Sequence, residues 1–161
     1  TQKWTLFPYT TLFRSLHTRS PPIVHRDLKS SNILVDADSH VKVSDFGLAR
    51  TKARSFVNTQ VGTWAWMAPE VLENAPYTEL ADVYSFGIVL HEMLTGQEPF
   101  KGMHPMQVAR AVVDKKERPP VPAGIVGAHG YVELMVACWD HEPARRPSFS
   151  EILTRLNNIP R

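Results

Sequence analysis

Cysteine is nearly absent from these 161 residues: Cys138 stands alone, so no internal disulfide can form, which fits a reducing compartment. Charge of one sign is lacking too. Eighteen basic residues face 16 acidic ones, for a formal net charge of +2, and nothing in that balance calls for nucleic acid or an anionic membrane as partner. No apolar run approaches the roughly 18 residues of a membrane span. The first residues lack the basic region, apolar core and small-residue cleavage site of a secretory signal. The seven histidines show no metal-ligand spacing, and there is no internal repeat. What these absences leave is a cytoplasmic domain, with enough chain to bury one core.

The segments that are present divide cleanly past Leu16. In "NILVDADSHVKVSDFG", Ile33 and Val35 alternate with their neighbours, as do Val41 and Val43 beyond the polar turn Asp36 to His40, which predicts a short β-hairpin. Residues 48–67 lack helical period and read as a long ordered loop. "TELADVYSFGIVLHEMLTG" is apolar nearly all round and predicts a buried helix with Thr78 as N-cap and Gly96 as C-cap. Helices are also expected over 104–115, with Pro105 in the first turn, over 131–139, and over 148–157, opened by a Ser148/Glu151 capping box. Between them, residues 116–130 form a loop. Its Pro119-x-x-Pro122 offers an SH3-ligand pattern, but a turn-rich connection between helices is the stronger reading. The fold class is mainly α, with a short hairpin.

The chemistry gathers around that hairpin. If Asp36 pairs with Val41, the same register sets Asn32 opposite Asp45, bringing an amide oxygen and a carboxylate to one place. Such hard oxygen donors suit magnesium, which takes one or two protein carboxylates together with substrate phosphates. Asp27 lies just upstream with Lys29 two residues on. A carboxylate there can accept a hydroxyl proton, and an ammonium can balance charge on a transferring phosphoryl group. Each of these could singly be an ordinary turn residue; Glu70 and Arg146 could be solvated charges, Asp82 a residue placed for the helix dipole. Trp64, Trp66 and Trp139 read as packing anchors, and Cys138 as an inert buried thiol.

"HRDLKSSN", "DFG", "APE" at Ala68 to Glu70 and "DVYSFG" at Asp82 to Gly87, followed by "RRPSF", resemble in order and spacing the catalytic lobe of a protein kinase, over Leu16 to Ile159. The resemblance implies a partial kinase domain over 16–160 that uses ATP and Mg2+. It assigns proton acceptance to Asp27, a phosphate contact to Lys29, magnesium to Asn32 and Asp45, and the surface under adenine to Leu34. Phe46 belongs to "DFG", and His25 packs beneath the catalytic loop. Asp82 anchors that loop, and Glu70 pairs with Arg146. Arg26 receives a phosphate placed on Thr59 by an upstream kinase, with Thr51 and Ser55 as other candidates. Lys29 and Thr63 resemble serine/threonine kinases, whereas "DVYSFGIVL" and "CWDHEPARRPSF" resemble the tyrosine-kinase-like group, in its mixed-lineage, Raf and plant MAP-kinase-kinase-kinase branch. The implied partner is a protein substrate. Two rivals differ in class. A pseudokinase-type interaction module often loses the base, the lysine or a metal ligand, and all are present here. A small-molecule phosphotransferase would not need "GTWAWMAPE".

The family's glycine-rich loop, strand lysine and helix glutamate have no counterpart in this sequence, so the chain alone is expected to bind ATP poorly and to transfer no phosphate at a useful rate. The family also places an amphipathic helix just before "LH". Here "TQKWTLFPYTTLFRS", with Pro8 mid-run and no helical apolar spacing, predicts no packing helix. Residues 5–15 match one reading frame of a short-read sequencing adapter. The expectation is therefore that residues 1–15 are a non-native leader, standing where the parent carries an apolar helix immediately before Leu16.

Overall fold

The computed structural model describes residues 2–38, 40–46, 63–122 and 129–159. Its elements, in order, are α1 (Gln2–His17), β1 (Ile33–Val35), β2 (Val41–Val43), α2 (Pro69–Leu72), α3 (Leu80–Thr95), α4 (Pro105–Val113), α5 (His129–Cys138) and α6 (Phe149–Asn158). Among the described residues the architecture is mainly α with one two-stranded antiparallel sheet, as the sequence implied. Residues 47–62, including Thr51, Ser55 and Thr59, lie outside the described residues.

α3 is the axis. Every residue from Ala81 to His91 is buried, which explains an apolar pattern with no solvent stripe. The helix closes on Gly96 at φ 66°, a left-handed conformation that glycine adopts without the penalty a Cβ would bring. It starts at Leu80 with Glu79, not the expected Thr78, in the N-cap position and no side-chain cap; Thr78 Oγ1 accepts the Leu80 N–H at 3.3 Å from one residue further out. α5 crosses close by. A Cβ on Gly87 would sit 3.0 Å from both the Cys138 Cβ and the Trp139 backbone nitrogen, so this crossing needs glycine. Burial pushes the Cys138 thiol up, which suits an inert core residue.

α4 opens with Pro105 at its first position, and α6 opens with the expected reciprocal cap. The Ser148 N–H donates to Glu151 Oε2 at 2.7 Å, while the Glu151 N–H donates to Ser148 Oγ at 3.3 Å. Phe149, Ile152, Leu153 and Leu156 form the buried face of α6. The Pro119-x-x-Pro122 segment is no free ligand for a partner: Pro119 is buried, and the Pro120 carbonyl accepts the buried His91 Nε2 at 2.9 Å.

The structure corrects two further expectations. First, residues 2–17 are helical, and the end of that helix packs into the core. Phe13 is 0% exposed and stacks on Phe149 at 5.1 Å between centroids, while Phe149 meets Phe86 of α3 at 5.4 Å. A weakly patterned, proline-containing segment is held helical by docking, since tertiary packing supplies most helical stability in proteins. Second, the hairpin register differs by one residue. Val35 pairs with Val41 and Ile33 with Val43, so Asn32 stands opposite Ser44 rather than Asp45. The turn sets this. Asp36 N–H donates to the His40 carbonyl at 3.0 Å, and Asp36 Oδ1 accepts the N–H groups of Asp38 and His40, closing the loop on His40.

Candidate active site

The loop from Val24 to Asn32 is held from beneath by Asp82, at the start of α3. Its carboxylate, 1% exposed, accepts the His25 N–H on Oδ2 at 2.8 Å and the Arg26 N–H on Oδ1 at 2.9 Å. These bonds hold Arg26 at φ 75°, a conformation that costs a non-glycine residue on the order of 1–3 kcal/mol and persists only where the surroundings enforce it. His17, the last residue of α1, adds a third contact, Nε2 to Asp82 Oδ2 at 2.9 Å. The sequence reading singled out Asp82 but not His17.

His25 is fully buried between the loop and the hairpin. Its Nδ1 accepts the Asp27 N–H at 3.3 Å, which leaves the proton on Nε2 for the Ser44 carbonyl at 3.1 Å. The Ser44 N–H in turn donates to the Asn32 carbonyl at 2.8 Å. Phe46 covers the imidazole edge-to-face at 4.7 Å. Loop and hairpin are thereby stitched together, and Asp45, at φ 61° and exposed, follows directly on Ser44.

Asp27 is 5% exposed. Its Oδ2 accepts Asn32 Nδ2 at 3.0 Å and Lys29 Nζ at 3.0 Å, and Lys29 Nζ also reaches Thr63 Oγ1 at 3.1 Å. Both contacts fall on one oxygen. Oδ1 has no hydrogen-bond partner among the described residues and remains the open acceptor. Asn32 Nδ2 donates a second bond, to the Asp27 carbonyl at 2.8 Å. With the amide hydrogens so used, the Asn32 side-chain oxygen is left as a hard donor, and the exposed Asp45 carboxylate supplies another. That donor chemistry fits magnesium. The structure thus brings Asp27, Lys29, Asn32 and Thr63 together, and Asp45 follows Ser44, whose N–H is bonded to the Asn32 carbonyl. Leu34 is 53% exposed on β1.

Away from this cluster, Glu70 of α2 and Arg146 form a buried bidentate pair, with NH1 to Oε1 at 2.7 Å and NH2 to Oε2 at 2.8 Å. Arg146 also donates to the carbonyls of Asp140, Leu80 and His141, so every N–H of its guanidinium is used. Arg146 and Arg118 lie over the Tyr84 ring, at 5.2 and 5.1 Å from its centroid, and burial pushes the Tyr84 phenol up to about 12. Arg26 sits over Tyr77 at 5.7 Å.

A second group, besides His17, went unnoticed in the sequence. Glu92, near the end of the largely apolar α3, accepts Ser30 Oγ on Oε1 at 2.8 Å and Trp66 Nε1 on Oε2 at 2.7 Å. Burial pushes its carboxyl up, against those two hydrogen bonds, which lower it. A charged residue following an eleven-residue buried stretch, Ala81 to His91, was the available signal.

Residues 16–156 match the sequence model of the protein tyrosine and serine/threonine kinase family. The chain belongs to that family. It is 52% identical over 144 residues to a Dictyostelium discoideum protein named "Probable serine/threonine-protein kinase drkD", covering 89% of this chain and 11% of that protein. It is also similar to two Arabidopsis thaliana proteins. These are serine/threonine-protein kinase STY46 (49% over 139 residues, 85% of this chain, 24% of that protein) and serine/threonine-protein kinase CTR1 (48% over 146 residues, 89% and 18%). The chain therefore spans a quarter or less of these relatives. Among the described residues, no helix is long and apolar enough to cross a membrane.

Proposed function

We propose that this chain is the catalytic-loop portion of a serine/threonine protein kinase that moves the γ-phosphate of ATP to a hydroxyl of a protein substrate. The observation that carries this reading is the Asp27 carboxylate, with Oδ2 saturated by Asn32 and Lys29 and Oδ1 left open. Oδ1 takes the proton of the incoming hydroxyl, and the buried contacts on Oδ2 fix the direction of the acceptor. Lys29 holds an ammonium beside it to meet phosphoryl charge, with Thr63 supporting that ammonium from the other side. Asn32 and Asp45 would hold magnesium. That ion, when bound, neutralises charge on the phosphates. Leu34 presents an exposed apolar surface for the adenine. Asp82 keeps the loop backbone in place, and the Glu70–Arg146 pair ties the segment after Thr63 to the helices. Arg26 is the receiver of a phosphate on Thr59, placed by an upstream kinase, in a protein working in the cytoplasm. The hydroxyl preference is supported by Thr63 at the Lys29 ammonium and by relatives named as serine/threonine kinases.

Residues 1–15 are, on this reading, a foreign leader whose end takes the place of a native helix. Resequencing the parent transcript upstream of Leu16 checks that, and an uninterrupted native "TLFPYTTLFRS" rejects it. The chain alone is expected to be inactive, so the test of function uses the full-length protein. Asp27→Asn should lower turnover by about 10²–10⁴-fold, the usual worth of a general base, with nucleotide affinity unchanged. Asp45→Asn should weaken magnesium-nucleotide binding instead. If Asp27→Asn kept normal turnover, the assignment would fall.

A further inference from the structure

The catalytic cluster is closed from one side by a ring of contacts, of which the assigned roles use only the Lys29–Thr63 bond. Lys29 Nζ meets Thr63 Oγ1 at 3.1 Å. Thr63 leads into the Trp64–Trp66 turn, whose last indole donates to Glu92 Oε2 at 2.7 Å. The other oxygen of that carboxylate accepts Ser30 Oγ at 2.8 Å, and Ser30 is bonded to Lys29. The circuit therefore runs from Lys29 through Thr63, Trp66, Glu92 and Ser30 back to Lys29. α3 grips Trp66 twice, because the Trp66 carbonyl also accepts Ser85 Oγ at 2.8 Å, and Ser85 lies two turns before Glu92 on the same helix face. Ser30 opens the turn that carries Asn32 toward Asp27. One half-buried carboxylate on the rigid central helix thus holds both segments that position the ammonium and the proton acceptor.

We propose that Glu92 is a positioning residue for phosphoryl transfer. It braces the catalytic loop at Ser30 against the Thr63–Trp66 segment, so that Lys29 and Asp27 keep one geometry. This rests on the phosphotransfer reading above. The brace works through two accepted hydrogen bonds rather than through charge. A glutamine can reproduce both: its oxygen accepts the indole N–H, and its amide donates to a Ser30 hydroxyl turned about.

Two amides report on the brace in this chain without any activity. The Asn32 N–H donates to the Lys29 carbonyl at 3.0 Å, and the Trp66 N–H to the Thr63 carbonyl at 3.1 Å. Glu92→Ala should speed hydrogen exchange at both by about 10-fold or more, the scale of losing bonds to a charged acceptor. The Ile152 amide, in distant α6, should keep its rate. Glu92→Gln should return both reporters close to the original rates. In the full-length protein, Glu92→Ala should lower kcat by about 10-fold with peptide KM unchanged, and Glu92→Gln should recover it. The brace is wrong if the two reporters do not respond, or if Ile152 accelerates alongside them, which would mean general loosening. It is equally wrong if Glu92→Gln is as damaging as alanine or raises peptide KM, either of which would make the charge itself the active feature. Asp27→Asn assayed in parallel separates the two ideas: normal turnover there removes the phosphotransfer reading, whereas an inactive Asp27→Asn beside a fully active Glu92→Ala removes only the brace.

Discussion

α1 and α6 pack against each other through Phe13 and Phe149, yet they are helical for opposite reasons. α6 carries its own instructions. Ser148 and Glu151 cap it reciprocally, and its apolar residues recur at helical spacing. α1 has no acidic residue in its first turn and contains Pro8; only Arg14 and His17 in its last turn favour the dipole. What holds α1 is its destination. Phe13 fills a site formed by Phe149 and His25, and His17 reaches the Asp82 carboxylate. A helix can be written into its own residues or into the surface awaiting it, and only the first kind is visible in a short stretch of sequence.

The contrast can be broken at α1. Phe13→Ala should cost about 3–5 kcal/mol, as expected when a fully buried phenylalanine is truncated. The loss should appear as exchange of the whole helix rather than of Phe13 alone; hydrogen exchange along residues 10–17 decides this, and protection surviving there would show that α1 is helical by its own propensity. A smaller effect sharpens the other side. Ser148→Ala should cost about 1 kcal/mol, the usual worth of an N-cap, measured by denaturant unfolding. The same cap predicts a pH signature. The Ser148 N–H holds the Glu151 carboxyl below its ordinary value of 4.5, so the cap contributes fully above that pH and its contribution is lost as pH falls through the depressed value. The difference in melting temperature between the parent and Glu151→Gln should therefore shrink on acidification below pH 4.5, and a constant difference would disprove it.

Most of the helical frame was legible in the sequence because each helix is marked by local features: Gly96 after α3, Pro105 opening α4, the cap of α6. The cluster of Asp27, Lys29 and Asn32 was legible because its members lie within one short loop. The hairpin register was not. It depended on whether Asp36 would accept the His40 N–H, a choice worth one residue that alternation of Val41 and Val43 leaves open. Glu92 was hidden for another reason. Its partners Ser30 and Trp66 lie 62 and 26 residues away along the chain, and no periodicity encodes contacts at that separation.

Asp82 joins two parts of the molecule. Because a single carboxylate receives both the loop amides and the imidazole that ends α1, docking of the first helix and order in the loop around Asp27 are thermodynamically linked. Whatever loosens the docking of α1 at Phe13 and His17 should therefore loosen the loop around Asp27 as well.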